Sequence, residues 1–220
     1  MRRVVVFDLD DTLFPEWQYV LSGFRAVDAW LRKAKGLDGF YDRARALLDA
    51  GSRGNIFGSA LATLGCRGEK ELIDTLVEVY REHRPSLTLY DDARWAIDVF
   101  RARGPLGLIS DGYLVAQENK LAALRIADAF QAIVLSDALG RDSWKPSPRP
   151  YQRIMELIPG APSEFVYVAD NPRKDFVTAR RLGWATIQIA RREGVYHGVE
   201  ETPEHRADAV ITSLFELEKM

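Results

Sequence analysis

The sequence predicts an α/β fold: a doubly wound parallel sheet with an inserted α-helical subdomain after the first strand. Short, nearly continuous apolar runs recur along the chain, which is typical of strands buried on both faces of a parallel sheet. Amphipathic helical segments separate the later runs, so strands and helices alternate there. One long interval has a helical pattern and no convincing buried strand, and this interval predicts the insertion.

Six apolar runs are the predicted strands. The first contains four consecutive apolar residues and runs straight into a group of aspartates. The others are also nearly continuous rather than alternating, as strands covered by helices on both faces require. The six runs span residues 3–8, 105–110, 132–136, 165–169, 185–189 and 208–211.

The interval of residues 15–88 reads as three or four successive helices. Pro15 suits a first helical position, apolar residues follow at spacings of three and four, and Pro85 ends the last helical pattern. Such a stretch is too long for one crossover connection. We therefore expect a core formed by residues 1–14 and 89–220, and a helical subdomain formed by residues 15–88.

Helices are also predicted between the later strands. The segment 92–103 has one apolar face, follows Asp91 and Asp92, which we expect to act as caps, and stops at Gly104. The remaining helical segments are 113–125, 149–158 and 173–182.

Composition excludes several classes of protein. The chain has 220 residues, 47% hydrophobic and 28% charged, with a net charge of -2 and mixed signs, so we expect neither nucleic acid nor a membrane surface as a partner. No stretch approaches the roughly 18 apolar residues of a membrane helix, and the first apolar run is too short for a signal peptide. The single cysteine, Cys66, predicts a reducing cytoplasm and a packing role. The oligomeric state stays open between monomer and dimer.

Carboxylates follow three of the predicted strands. Asp8, Asp10 and Asp11 follow the first strand, Asp111 the second and Asp170 the fourth. The carboxyl ends of parallel strands meet at one edge of a sheet, so these side chains should surround one crevice. Two like charges about 4 Å apart repel by roughly 4 kcal/mol at an effective dielectric constant near 20. A divalent cation is the natural counter-charge.

Four segments resemble the ordered motifs of the haloacid dehalogenase-like hydrolase superfamily. They are Asp8-Leu9-Asp10-Asp11-Thr12-Leu13, Ser110-Asp111-Gly112, Lys145-Pro146-Ser147-Pro148 and Asp170-Asn171-Pro172-Arg173-Lys174-Asp175. Singly, each residue also suits a turn, a cap or a solvated surface; their order at strand ends favours the superfamily. The resemblance implies a Rossmann-like catalytic core, and the helical insertion is similar to the superfamily's cap in general character.

The resemblance also implies a role for each motif. Asp8 would be the nucleophile, and Asp10 would protonate the leaving alcohol and then take a proton from the attacking water. Lys145 would offset charge on the nucleophile and the phosphoryl group. Asp8, the backbone carbonyl of Asp10 and Asp170 would hold Mg²⁺.

The remaining motif residues would bind or support the phosphate. Ser110, with the backbone amides of Asp111 and Gly112, resembles a phosphate cradle. Thr12 would form a hydrogen bond near the phosphate or fix the turn. Asp175 would reach metal-bound water or orient the motif lysine.

The carboxylate at Asp10 favours phosphate esters, because dehalogenases of the superfamily need no acid for the leaving group and lack one there. The sequence therefore predicts a Mg²⁺-dependent phosphatase for a small sugar, nucleotide or organic-acid phosphate. A sugar phosphomutase is the alternative, since it shares every core motif. A 2-haloacid dehalogenase and a receiver-like signalling domain are less favoured; the latter lacks both this acid arrangement and a long helical insertion.

Other residues carry weaker expectations. The cap should set substrate specificity by closing over the site. Residues 51–55 form a predicted loop of the cap, and Arg53 or Asn55 would contact the substrate there; the alternative is an ordinary surface loop. Three histidines without ligand spacing, His83, His197 and His205, are expected at the surface. The tryptophans are expected to pack in the core or the cap.

Overall fold

The computed structural model describes residues 3–199 and 202–219 and divides into two compact units. Unit 1 joins the chain up to Glu16 to the chain from Leu87 onward, and unit 2 is Trp17–Ser86. Within the described residues, no helix combines the length and the apolar character needed to cross a membrane.

Unit 1 is built on a six-stranded parallel sheet in the order β3-β2-β1-β4-β5-β6. The strands are β1 Val4–Phe7, β2 Leu106–Ser110, β3 Ala132–Leu135, β4 Phe165–Ala169, β5 Ala185–Ile189 and β6 Ala209–Ile211. β1, β2 and β4 are buried along their whole length, which explains their unbroken apolar sequences. The predicted α/β fold class with a parallel sheet is confirmed.

Eight α-helices are assigned within the described residues. They are α1 Glu16–Lys35, α2 Phe40–Asp49, α3 Ile56–Thr63, α4 Lys70–Glu82, α5 Asp91–Arg103, α6 Leu114–Leu124, α7 Arg149–Leu157 and α8 Phe176–Arg181. Short 3-10 segments occupy Ala127–Ala129, Ser136–Leu139, Arg141–Ser143, Pro162–Glu164 and Leu214–Lys219. Between β1 and β2, α1 to α4 interrupt the alternation of strands and helices.

Two helix predictions need correction. Asp91 and Asp92 do not cap α5; Tyr90 holds the N-cap position, and Asp92 is buried with Arg191 as its partner. The helix expected at 173–182 begins only at Phe176, because the preceding residues form a turn in which the Asp175 carboxylate accepts a hydrogen bond from the Asn171 amide. A tertiary ion pair thus occupies the Asp92 carboxylate, and a local turn delays the start of α8.

Each unit has its own apolar core. In unit 1 aromatic side chains fill the space beside the sheet, with Tyr151, Phe165, Tyr167 and Trp184 in mutual ring contact. In unit 2 the helices pack around a cluster that includes Phe24, Val27, Leu31, Phe40, Ala44, Ala60, Leu61 and Leu76, with Cys66 against it as expected. Burying such side chains contributes about 1.5–3 kcal/mol each.

Unit 2 contains two departures from the sequence predictions. Trp17 is 45% exposed rather than packed in a core. His83 is buried rather than at the surface, and its ring lies against Tyr19 and Tyr80 with Nδ1 2.6 Å from the Tyr80 carbonyl oxygen. A helical pattern identifies an apolar face but does not decide which residues at its margin are covered.

Candidate active site

The candidate site lies in unit 1 at the carboxyl ends of three adjacent strands. Asp8 follows β1, Ser110 ends β2 and Asp170 follows β4, and β1 pairs with both neighbours. The Asp8 amide donates to the Val168 carbonyl at 2.9 Å, which continues the pairing of β1 with β4 past its last strand residue. The topology therefore brings these side chains to one edge of the sheet.

Lys145 is the cation beside Asp8. Its side chain is fully buried, and Nζ lies 2.5 Å from Asp8 Oδ1, 2.7 Å from Asp175 Oδ1 and 2.9 Å from the Tyr167 hydroxyl. Nζ donates hydrogen bonds to Asp8 and to the Tyr167 hydroxyl, and its contact with Asp175 is an ion pair. Burial alone would lower the pKa of Lys145, but the negative charges of Asp175 and Asp8 outweigh burial and hold it well above its ordinary value. The lysine is therefore a fixed positive charge.

Asp8 and Asp170 are the carboxylates without sufficient counter-charge. Burial raises the pKa of Asp8 to about 7, although Lys145 opposes the rise. Burial and then the charge of Asp8 raise the pKa of Asp170 well above its ordinary value. The Asp170 carboxylate forms no hydrogen bond or ion pair with any residue that the structure describes. Both groups would gain from a shared cation.

This donor set fits Mg²⁺. Four carboxylates, those of Asp8, Asp111, Asp170 and Asp175, interact with two ammonium groups, so full ionisation leaves two negative charges without a partner. A single Mg²⁺ would supply that charge and accepts oxygen ligands. The described part of the chain has no group of three or more His, Cys, Asp or Glu side chains arranged around a metal position. The expected ligand set needs only two carboxylates and the backbone carbonyl of Asp10.

Asp10 is held by helix α6. Its two carboxylate oxygens lie 2.7 and 2.8 Å from Nζ of Lys120, and Gln117 Nε2 lies 3.4 Å from Oδ2. Lys120 and Gln117 are both buried, whereas the Asp10 side chain is 21% exposed. One side of this carboxylate therefore faces fixed protein donors while another side stays accessible.

The loop after β2 has the geometry of a tight cradle. The Ser110 hydroxyl donates to Gln117 Oε1 at 2.9 Å. Gly112 has a φ of +135°, and a Cβ there would lie 2.3 Å from Gln117 Nε2. A side chain at this position is thus opposed by both backbone strain and space.

The side chain of Asp111 forms contacts within the candidate site, in addition to the backbone amide expected to bind phosphate. Its carboxylate accepts from Lys174 Nζ at 2.8 Å and from the Lys145 amide at 3.2 Å. Burial would raise the pKa of Asp111, but the charges of Lys145 and Lys174 lower it below its ordinary value. The aspartate thereby connects the loop after β2 to the third and fourth motifs.

The turn after β1 is fixed by Asp11. This residue has a φ of +50°, and its carboxylate accepts from the Glu16 amide at 2.8 Å and the Val195 amide at 3.3 Å. Thr12 is fully buried; its carbonyl accepts from Arg191, and its hydroxyl has no hydrogen-bond partner within the described residues. Asp11 therefore holds the turn in place, and contact of Thr12 with phosphate stays a prediction.

The other candidate residues have local partners. Asp175 binds Lys145 through Oδ1 and the Asn171 amide through Oδ2, which favours its lysine-orienting role over the alternative. In unit 2, Arg53 donates to the carbonyls of Leu48 in α2 and Ser52 in its own loop. Asn55 caps α3 by accepting from the Gly58 amide. Contact of Arg53 or Asn55 with a substrate stays a prediction.

A comparison with protein-family models decides the family. Residues 2–183 match the model of the haloacid dehalogenase-like hydrolase. The chain belongs to the haloacid dehalogenase-like hydrolase family.

Curated relatives of this hydrolase include phosphatases. It is 28% identical over 209 residues to the glyceraldehyde 3-phosphate phosphatase of Methanopyrus kandleri, covering 91% of this chain and 88% of the relative. It is 27% identical over 227 residues to the phosphoserine phosphatase of Thermus thermophilus, covering 86% and 89%. The matches extend over nearly the whole length of each protein.

Solved structures share the fold of this hydrolase. The 2-haloacid dehalogenase from Pseudomonas syringae pv. Tomato DC3000 superposes with a TM-score of 0.69 at 23% identity, covering 100% of this chain and 97% of the other. The HAD phosphatase from Thermococcus onnurineus gives a TM-score of 0.64 at 22% identity, covering 99% and 96%. At these identities the similarity establishes the fold alone.

Sequence reasoning missed four side chains at the site of this hydrolase. Lys120 and Gln117 lie on the buried face of α6, Lys174 binds Asp111, and Tyr167 lies in the middle of β4. A signal was available for two of them, because Gln117 and Lys120 interrupt the apolar face of the predicted helix at residues 113–125. Buried Lys and Gln side chains need partners, and the acids at the strand ends are suitable ones.

Proposed function

We propose that this hydrolase is a Mg²⁺-dependent phosphatase that acts on a small phosphorylated metabolite through an aspartyl-phosphate at Asp8. The observation that carries the proposal is the Asp10 carboxylate, two residues beyond the buried Asp8 and 21% exposed. Cleavage of a phosphate ester produces an alkoxide that needs a proton, whereas loss of a halide does not. Phosphatases among the curated relatives, including those named for glyceraldehyde 3-phosphate and phosphoserine, support the same class.

The first chemical step forms the acyl phosphate. A carboxylate oxygen of Asp8 attacks phosphorus, a new P–O bond forms, and the P–O bond to the leaving group breaks. The carboxylic acid of Asp10 gives its proton to the departing oxygen, so the product leaves as a neutral alcohol. This step divides a very slow hydrolysis into two easier reactions.

Hydrolysis of the acyl phosphate completes the cycle. A water molecule attacks phosphorus while the Asp10 carboxylate takes one of its protons, and the P–O bond to Asp8 breaks. Inorganic phosphate leaves, Asp8 is again a carboxylate, and Asp10 is again protonated for the next cycle. One residue acts first as acid and then as base.

The surrounding charges would stabilise both steps. Lys145, which donates to Asp8 and Tyr167 and forms an ion pair with Asp175, holds Asp8 in one orientation and offsets negative charge near the phosphoryl group. Asp8, Asp170 and the carbonyl of Asp10 would hold Mg²⁺, which supplies further counter-charge for the phosphoryl oxygens when bound. Ser110 and Gly112 would position the phosphate.

A screen for phosphate release tests the proposal. The panel should contain sugar, nucleotide and organic-acid phosphates together with 4-nitrophenyl phosphate, with and without Mg²⁺ or a chelator. We expect Mg²⁺-dependent release of inorganic phosphate that chelation stops and that Asp8→Asn abolishes. Asp91→Asn, the same change at an exposed position in the first turn of α5, is the matched control and should retain full activity.

Three outcomes would overturn the proposal. Undiminished turnover by Asp8→Asn would exclude this nucleophile. Formation of an isomeric sugar phosphate without phosphate release would indicate a mutase. Release of chloride from 2-chloropropionate, with no activity on any phosphate ester, would indicate a dehalogenase.

A further inference from the structure

Helix α6 places a buried ammonium group on Asp10. The side chain of Lys120 is 3% exposed, and Nζ lies 2.7 and 2.8 Å from the two oxygens of the Asp10 carboxylate. Both distances are those of charge-assisted hydrogen bonds. With Asp10 ionised, contact with both oxygens restricts rotation of the carboxylate about its final bond; with Asp10 protonated, the oxygen that carries no proton can keep its contact with Nζ.

The same helix connects Asp10 to the phosphate cradle. Gln117, 2% exposed, accepts from the Ser110 hydroxyl at 2.9 Å, and its amide nitrogen lies 3.4 Å from Asp10 Oδ2. Gln117 also occupies the space that a side chain at position 112 would need. Helix α6 therefore contacts both the Asp10 carboxylate and the loop that contains Ser110, and it fixes their relative positions.

Stability alone does not account for a buried lysine here. Apart from Gln117, the other buried positions of α6 are apolar: Ala116, Leu121 and Leu124. Replacing a buried ion pair with apolar side chains of similar volume is often neutral or stabilising, because burial of the charges costs free energy. The geometry at Asp10 gives a different reason for the charge of Lys120, which is to orient the Asp10 carboxyl toward the leaving oxygen.

We propose that Lys120 is a positioning residue for proton transfer by Asp10, and that Gln117 ties this carboxylate to Ser110. The inference rests on the proposed phosphatase function. Lys120 acts through Asp10 and does not contact the reacting phosphorus. When Lys120 is removed, Asp10 samples several orientations, and the fraction aligned with the departing oxygen falls.

The expected consequence depends on the leaving group. An ester whose leaving phenol is strongly acidic departs with little help from a proton, whereas a less acidic phenol needs one. Loss of alignment at Asp10 should therefore slow the second kind of ester and spare the first. A structural role for Lys120 would slow both kinds equally, because the concentration of folded enzyme affects every substrate alike.

The test compares para-substituted phenyl phosphates of similar size, from 4-nitrophenyl to unsubstituted phenyl and 4-methoxyphenyl phosphate. For Lys120→Met we expect kcat/KM to fall about 100-fold with phenyl phosphate, the scale of general acid catalysis, and to change little with 4-nitrophenyl phosphate. Lys120→Arg, which keeps a cation able to bind both oxygens, should restore most of the lost activity. Equal losses across the series, or no loss, would overturn the positioning role.

A control separates folding from positioning. Thr186→Val removes the buried hydroxyl that binds Asp208 at the second residue of β5, on a strand that does not carry Asp10, Gln117 or Lys120. It should lower thermal stability and slow every ester by the same factor. If circular dichroism shows that Lys120→Met does not fold, Lys120→Gln replaces it in the same series of esters. Its kcat/KM should fall less than expected for Lys120→Met, but still more with phenyl phosphate than with 4-nitrophenyl phosphate.

The two proposals fail in different ways. If the wild-type protein hydrolyses none of the esters, or Asp8→Asn retains the rate, the phosphatase proposal fails and this inference fails with it. If the wild-type protein is active, Asp8→Asn is inactive and Lys120→Met loses activity uniformly, only the positioning role of Lys120 fails.

Discussion

At the scale of single residues, the site depends on buried charges that have fixed partners. Lys145 donates to Asp8 and Tyr167 and forms an ion pair with Asp175, and both oxygens of Asp10 accept from Lys120. Asp170 is the exception, since its carboxylate makes no hydrogen bond or ion pair within the described residues. The carboxylates of Asp8 and Asp10 are thus held by lysines of the protein, whereas the Asp170 carboxylate is available for a cation.

Gly112 provides a stability prediction at this scale. Gly112→Ala should lower the free energy of unfolding by about 1–3 kcal/mol, because φ is +135° and the new Cβ would displace the amide of Gln117. Chemical denaturation measures the change. Gly140→Ala is the matched control, with a φ of +96° and no described heavy atom within 4 Å of the new Cβ. Equal losses for the two variants would contradict the proposed clash with Gln117.

Sequence alone predicted the strand-end residues and Lys145, but not the contacts of Lys120 and Tyr167. Asp8, Ser110 and Asp170 could be placed because they directly follow or end apolar runs, and parallel strands share one carboxyl edge. The contacts of Lys120 and Tyr167 depend on which face of a helix or strand meets residues more than twenty, and in one case more than a hundred, positions away. Local patterns contain no information on such distant pairings.

At the scale of elements, a buried ion pair connects α5 to the segments after β5 and β6. Asp92 binds Arg191 at 2.6 Å and also accepts from the hydroxyl of Ser213 and the amide of Leu214. The sequence expectation of a helix cap was wrong because a first-turn aspartate can satisfy tertiary donors instead. Nothing near position 92 in sequence identifies Arg191 as the partner.

This ion pair predicts a pH-dependent contribution to stability. Burial would raise the pKa of Asp92, but the charge of Arg191 and the hydrogen bonds from Arg191, Leu214 and Ser213 together outweigh burial, and the pKa lies below its ordinary value of 3.8. A carboxyl with a lowered pKa in the folded state stabilises the protein above the unfolded-state pKa and loses that contribution as pH falls through the folded-state value. Asp92→Asn should therefore cost about 3 kcal/mol at pH 7 and progressively less in acid.

Urea denaturation over a range of pH measures this difference. Asp91→Asn is the neighbouring control and should follow the wild-type protein at every pH, because Asp91 is exposed. A gap between Asp92→Asn and wild type that does not shrink below about pH 3 would contradict the role of Asp92 ionisation.

At the scale of the whole molecule, two apolar cores lie in two separate units, and the proposed chemistry belongs to one of them. The class of fold was predictable because strands buried on both faces leave long apolar runs in the sequence. Exposure of Trp17 and burial of His83 were not predictable, since both depend on how helices of unit 2 pack. The identity of the substrate is likewise not determined by the core motifs.

Metal binding should stabilise the folded protein as a whole. Mg²⁺ would relieve repulsion between Asp8 and Asp170, so a concentration near 100 times its Kd should add about 2.7 kcal/mol and raise Tm. Asp170→Asn should lose most of this response. Thermal unfolding with added Mg²⁺, and with KCl at matched ionic strength as control, measures it; an equal rise in Tm for the variant would contradict the metal assignment.

The most direct test of the account is to trap the covalent intermediate at Asp8. The enzyme is mixed with a phosphate ester that it turns over, labelled with ³²P in the phosphoryl group, and quenched in acid within the first turnover. The account predicts protein-bound ³²P that peptide mapping locates at Asp8 and that is absent from Asp8→Asn. Label on a different residue, or rapid turnover with no labelled protein at any quench time, would contradict it.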